Sequence, residues 1–315
     1  MAEPSTCAPV TGLARLKLFW ALSRTPHGLL DMTTPAVAAL LWLGAFPPLE
    51  VMLIGLVTTF AGYTAVYALN DVVDVRTDRE KLGHGENRCQ EGYLDAIMVR
   101  HPIAQGALGH GEGLAWTLAW AAVALSGAYL LNPVCVVIFL AGCSFEAVYC
   151  LLLKITHLRT LVSGVVKNTG AVAAVYAVDP SPSIPFLAVL FLWLFLWEIG
   201  GQNVPADWAD VEEDRRLRAR TIPVLLGYGR SAAVIAGTLT GAVVAGMFVL
   251  LLSRASFPAL YLVASLAIGA CLLLLPAYRL YQSLDRIDAM ALFNRASYYP
   301  PALLALVLVR LLVAG

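Results

Sequence analysis

Nine apolar stretches of about 20 residues constrain this chain more than any other feature: 27–46, 48–70, 112–131, 133–153, 160–178, 184–203, 231–253, 257–279 and 297–314. A helix of about 20 residues spans the ~30 Å hydrocarbon core of a bilayer. Backbone polar groups inside that core must be satisfied within the protein. Runs this long therefore predict an all-α, polytopic transmembrane helical bundle of about nine helices. Composition agrees, with 59% hydrophobic residues, 13% charged residues and a mean hydropathy of +0.75, which excludes an ordinary soluble domain. Residues 13–24 mix apolar and basic side chains at helical spacing, the pattern of an interfacial helix. The sequence thus reads as a single domain over 1–315, with 1–26 as N-terminal tail and interfacial helix.

The charges fix an orientation. Connections after the first, third, fifth and seventh runs are short, and those after the even-numbered runs carry the charge. On the nine-run reading, 18 of the 21 Lys and Arg residues fall on the N-terminal side. The positive-inside rule makes that side cytoplasmic, in the cell (inner) membrane if the source is bacterial. The same bias accounts for the basic loops, so no nucleic-acid partner is expected. The opening MAEPSTCAPVTG lacks a basic region followed by an apolar core, so no cleavable signal is expected. Six Cys show no C-x-x-C pair and no Cys/His metal spacing, and those in apolar runs read as small hydrophobes.

Two stretches stand out against this background. NDVVDVRTD (70–78) carries Asn70, Asp71, Asp74 and Asp78, and DWADVEED (207–214) carries Asp207, Asp210 and Asp214. Both have the form D-x-x-D-x-x-x-D, and together they hold six of the chain's 11 Asp residues. Offsets of three, four and seven place the carboxylates of each motif on one face of a helix. Like charges on one face repel unless a cation joins them. Such oxygen-rich clusters suit Mg2+, which binds a few carboxylates together with substrate phosphate oxygens. A solvated acidic helix end would explain one motif. Two copies in one frame, each extending an apolar run and both on the cytoplasmic face, favour a metal site. Each copy ends an apolar helix and runs into a basic segment, with Tyr67 or Asn203 one turn before its first Asp. Two similar halves facing each other would set the clusters across a central cavity.

These motifs resemble the UbiA-type intramembrane prenyltransferase superfamily. NDVVDVRTD and DWADVEED, the latter followed by RARTIPV (218–224), carry the likeness, with weaker support from RHPIAQGAL (100–108), the Tyr149 to Lys154 segment and SRTP (23–26). It extends from about residue 15 to the end. The resemblance implies a prenyltransferase that moves an isoprenoid chain from a prenyl diphosphate to a small acceptor, often aromatic as in quinone and other lipid pathways, with two Mg2+. Carried over by position, Asn70, Asp71, Asp74 and Asp78 would hold one ion, and Asp207, Asp210 and Asp214 the other. An allylic diphosphate leaves only when its developing charge is neutralised, so basic side chains are also required. Arg79, Arg100, Lys154, Arg215 and Arg220 are candidates, with Lys154 and Arg220 favoured as catalytic beside Asp71 and Asp207. Positive-inside bias explains many such residues without a role. Lys167 and Asn168 sit inside an apolar run, where an ionisable residue is expensive and usually functional. Both are expected to face the cavity. Tyr63, Tyr67 and Tyr149 are candidates to steady a carbocation through their ring faces, although packing alone would also place them there.

Two departures from the family pattern are visible. The first Asp loop carries an insert, GHGENRCQEGYLD, and His101 intervenes between Arg100 and Pro102. A different lid or acceptor pocket is expected from such a loop. His84, His101 and His110 read as incidental, and Asp285 and Asp288 as solvated. Two other functions remain compatible with the motifs. A terpene cyclase on the same scaffold would need no acceptor. A cation-coupled transporter would need no diphosphate, but leaves the basic residues beside both motifs unexplained.

Overall fold

The computed structural model describes residues 12–82 and 98–314, all helix and connection, with no strand among them. The insert of the first Asp loop lies outside the described residues. After the short α1 (Leu13–Leu22), the first apolar run is split into α2 (Thr25–Asp31) and α3 (Thr33–Leu43). Pro35 has no N–H to offer the Asp31 carbonyl four residues back. The Thr34 hydroxyl donates to that carbonyl instead, at 2.9 Å. Among the described residues, eight further helical segments are long and apolar enough to cross a membrane, so the expectation of about nine crossings matches these eight and the divided first run. The protein is a multi-pass membrane protein.

α4 (Leu49–Leu82) has 34 residues, a length of about 51 Å at 1.5 Å per residue. It exceeds the hydrocarbon core by several turns, and its last turns carry the first Asp motif. α5 (His110–Leu131) and α6 (Pro133–Leu151) pack on it, α7 (Arg159–Val178) packs on α6, and α3 lies against α7. Close approach of α4 and α5 needs a bare position: a Cβ on Gly127 would fall 1.9 Å from Thr58 Oγ1.

The second half begins with α8 (Ile184–Trp197), passes through a π-helical turn (Glu198–Asn203), and continues as α9 (Val204–Ala209) and α10 (Val211–Arg216). Asp210 breaks the helix between α9 and α10, with φ −99° and ψ 9°. The second motif is therefore not on one continuous helix face, as its spacing predicts. Asp207 is on α9, Asp210 at the break and Asp214 on α10. α11 (Ile222–Leu252), α12 (Ala259–Gly269), α13 (Leu275–Ser283), α14 (Arg286–Ser297) and α15 (Tyr299–Ala314) complete the chain. α8 packs against α11, and α15 closes back on α3. The largest buried cluster lies on this side, around Trp193, Trp197, Trp208 and Tyr299. The two halves thus present their Asp motifs across a central cavity, the first half packing Phe19, Trp20, Phe60, Trp116 and Trp120 on one another and the second burying its tryptophans more fully.

Candidate active site

The cavity holds about 630 Å³ and is lined by all six motif aspartates together with Asn70, Tyr67, Tyr149, Asn203, Arg100 and Lys167. On α4, spacing of three and four residues aims Asp71, Asp74 and Asp78 inward, and Asp71 and Asp78 are buried. His101 lies between them: its Nδ1 is 3.1 Å from Asp71 Oδ1 and 3.0 Å from Asp78 Oδ2. The ring is held there by a left-handed backbone, φ 48°. Burial works against a charged imidazole, but the Asp78 and Asp71 carboxylates outweigh it and raise the His101 pKa. The sequence reading of His101 as incidental is thus corrected, since the side chain contacts two proposed metal ligands. Arg24 reaches the same end, 3.3 Å from Asn70 Oδ1 and 3.7 Å from Asp71 Oδ1.

Across the cavity, Arg100 lies 3.2 Å from Asp210 Oδ2 and 3.3 Å from Glu213 Oε1. Burial disfavours its charge, yet those carboxylates raise its pKa overall. Thr221 donates to Asp214 Oδ2 at 3.1 Å. The Asp214 carboxyl is pushed up to about 7, by burial first and by the Asp207 charge next. Arg159, at the start of α7, joins the second motif to the aromatic wall. Its guanidinium donates to the Tyr149 hydroxyl, stacks 4.1 Å from the Tyr149 ring centre and lies 3.6 Å from Asp207 Oδ1. Asn203 also donates to the Tyr149 hydroxyl, at 2.9 Å.

Deeper in the bundle lies a second polar layer. Lys167 Nζ donates to Asp31 Oδ2 at 2.5 Å and sits 3.8 Å from Glu198 Oε2. Tyr67 also donates to Asp31, and Ser163 donates to Glu198 Oε1 at 2.6 Å. Glu146, also buried, accepts from Asn70 Nδ2 at 2.6 Å.

Several basic candidates lie elsewhere. Lys154 pairs with Glu80 at 2.6 Å outside the cavity lining. Arg215 pairs with Glu212 at 3.3 Å. Arg79 and Arg220 are exposed and off the lining, and the Arg220 backbone N–H donates to Leu153 O at 2.8 Å. Asn168 is buried, but its amide turns back to Gly164 O at 2.8 Å and it does not line the cavity. In their place the structure supplies Arg24, Lys81 and Arg159. Asp31, Glu146 and Glu198 were also passed over, although single carboxylates inside apolar runs are a readable signal. Arg159 carried no comparable mark, since a basic residue opening a span is what positive-inside bias supplies anyway.

The donor set fits Mg2+. Hard carboxylate oxygens predominate, Asp71, Asp78 and His101 offer atoms within 4.8 Å of one another, and the buried Asp207 Oδ2 has no hydrogen-bond partner. Residues 32–298 match the UbiA prenyltransferase family. The 4-hydroxybenzoate octaprenyltransferase of Idiomarina loihiensis is 28% identical over 218 residues, 68% of this chain and 71% of that one. Two solved structures share the fold. A UbiA homolog from Aeropyrum pernix K1 superposes with a TM-score of 0.73 at 20% identity, covering 90% of this chain and 97% of its own. One from Archaeoglobus fulgidus, solved with DMAPP and Mg2+, has a TM-score of 0.67 at 15% identity and covers 94% and 99%. A match over most of the chain, joined to paired aspartate motifs that face one cavity, places this protein in the UbiA prenyltransferase family, as a membrane-embedded prenyltransferase.

Proposed function

We propose that the protein transfers a prenyl group from a prenyl diphosphate to a small aromatic acceptor with the help of two Mg2+, releasing diphosphate. The observation that carries this reading is the meeting of both Asp motifs and three basic side chains, Lys81, Arg100 and Arg159, around one cavity that runs on into apolar walls. Asn70, Asp71, Asp74 and Asp78 would hold one ion, and Asp207, Asp210 and Asp214 the other. Bound Mg2+ would supply charge neutralisation to the leaving diphosphate. Arg159 and Lys81 would add to it from the protein. The C1–O bond breaks, the electron pair leaves with diphosphate, and the acceptor ring attacks C1 and then loses a proton. Tyr67 and Tyr149 present ring faces and hydroxyls along that path. The relative that acts on 4-hydroxybenzoate and the Archaeoglobus fulgidus homolog solved with DMAPP or GPP and Mg2+ support the same chemistry. The whole chain acts as one domain, with both motifs on the cytoplasmic face by the distribution of Lys and Arg.

The test is turnover of purified protein with a series of allylic diphosphates and phenolic acceptors. Asp71→Ala and Asp207→Ala should each abolish product while preserving the fold. Normal turnover by either variant with Mg2+ present, or cyclised product without acceptor, would overturn the reading.

A further inference from the structure

The helix that carries the second motif changes pitch once. From Glu198 to Asn203 it winds as a π-helix. In an α-helix, residues five apart point about 140° away from each other. A π turn closes that gap and stacks them on one face. Glu198 therefore comes into line with Asn203, and Asp207 follows one α-turn later. All three line the cavity.

Each keeps a bare hydrogen-bond acceptor. Glu198 Oε2, Asn203 Oδ1 and Asp207 Oδ2 are buried and accept no hydrogen bond from the protein, the Lys167 ammonium standing 3.8 Å from Glu198 Oε2. The residues are only 7%, 6% and 8% exposed. The other polar atom of each is engaged: Glu198 Oε1 by Ser163, Asn203 Nδ2 on the Tyr149 hydroxyl, and Asp207 Oδ1 near Arg159. Buried polar groups are almost always satisfied, so exceptions require a reason. Asp207 Oδ2 belongs to the metal site, which leaves Glu198 and Asn203, on one strip facing one cavity, as a template for a ligand that donates hydrogen bonds.

The charges narrow the ligand further. In the deep layer Lys167 lies between Asp31 and Glu198, two carboxylates about one ammonium. A ligand carboxylate there would add a third negative charge where screening is weak. Arg159, whose Nε is also bare, sits higher, beside Asp207 at the level of the proposed metal and diphosphate site.

We propose that Glu198 and Asn203, on the π turn just before the metal ligand Asp207, form the acceptor subsite, and that it selects an uncharged acceptor with hydroxyl donors, a phenol or hydroquinone, over a carboxylated one. This rests on the prenyl-transfer reading for the name of the subsite, but binding tests it without turnover. The probes are 1,4-dihydroxybenzene and 4-hydroxybenzoate, which differ by exchange of one hydroxyl for a carboxylate. Their affinities are measured by calorimetry on the full chain in nanodiscs, with Mg2+ and a non-hydrolysable prenyl diphosphate analogue present. The diol should bind at least tenfold tighter. Glu198→Gln should bring the ratio below about threefold by removing the charge. Asn203→Leu, which leaves the Lys167 pair intact, should weaken the diol about tenfold. Equal or tighter benzoate binding, no binding of either probe, or an unchanged ratio and affinity in both variants would overturn the subsite. Preferential diol binding without any prenylated product would instead count against prenyl transfer and leave the subsite standing.

Discussion

Lys167 is the most informative residue to remove for stability. Its ammonium lies 2.5 Å from Asp31 Oδ2 and 3.8 Å from Glu198 Oε2. Lys167→Met keeps most of the volume and takes away the only Lys or Arg paired with either carboxylate among the described contacts. Asp31 would retain the Tyr67 hydroxyl and His27, 3.8 Å away, and Glu198 would retain Ser163. Breaking a buried ion pair by deleting one partner costs about 3–5 kcal/mol. At roughly 2 °C per kcal/mol for a chain of this size, Tm should fall by about 6–10 °C. Asp31→Asn should cost less, about 1–3 kcal/mol, because Lys167 keeps Glu198 and a bonded polar group still fills the site. The double variant should be no worse than Lys167→Met alone, since it removes one of the two stranded carboxylates. Tryptophan fluorescence on heating in nanodiscs measures all three. If the two losses simply add in the double variant, the three groups are not coupled, and the deep layer is not the charge-paired unit described above.

Other outcomes follow from where the basic side chains lie. Arg159→Ala should lower kcat by about 10²-fold or more, the usual cost of removing a donor aimed at developing charge. Arg159→Lys should restore part of it, and equal activity of all three proteins would remove Arg159 from the site. Lys154→Ala and Arg220→Ala should stay within a few-fold of the parent in kcat and KM, because neither lines the cavity. A drop of 10²-fold in either would show that these side chains swing inward during turnover. The metal-free protein should also respond to pH. Asp214, pushed from 3.8 up to about 7, binds its proton more tightly folded than unfolded. The stability this contributes is present in acid and is lost as pH rises from about 4 through 7. Tm measured in EDTA should fall across that window, and Asp214→Asn should flatten the fall.

Much of this fold was legible because bilayer thickness leaves few options. Long apolar runs had to be helices, and the charged connections had to share a face. The Asp motifs were legible for a related reason, since repeated carboxylates on an apolar helix have no cheap bland explanation. What escaped was local geometry. The π turn at Glu198–Asn203 has no composition mark, as EIGGQN contains nothing that forbids an α-helix. Asp210 ends a helix in the middle of a motif whose spacing reads as continuous. Lys154 and Arg220 are favoured in the sequence because they match family positions beside the site. In space the same level is taken by Arg159, five residues past Lys154 and one helix start further on. Matching by position is a poor guide where a helix begins.

The charge of the cavity sets an order on binding. Nine carboxylates line it, including Asp31, Glu146 and Glu198, against five Lys and Arg side chains, Arg24, Lys81, Arg100, Arg159 and Lys167. A polyanion entering that space alone meets a net negative wall at low dielectric. Metal entering alone gains carboxylates, yet Mg2+ dehydrates reluctantly and favours sites completed by phosphate oxygens. The two ligands should therefore bind as a pair. A prenyl diphosphate analogue without Mg2+ should leave Tm unchanged. Mg2+ without the analogue should raise it slightly. Together they should raise it well beyond the sum, since each completes the other's site and only the folded state binds them. Removing Asp71 should abolish this excess while leaving the deep layer of Lys167 and Asp31 untouched. An equal rise from the analogue alone would mean that Arg159, Arg100 and Lys81 suffice for diphosphate, and that the aspartates serve some purpose other than holding metal.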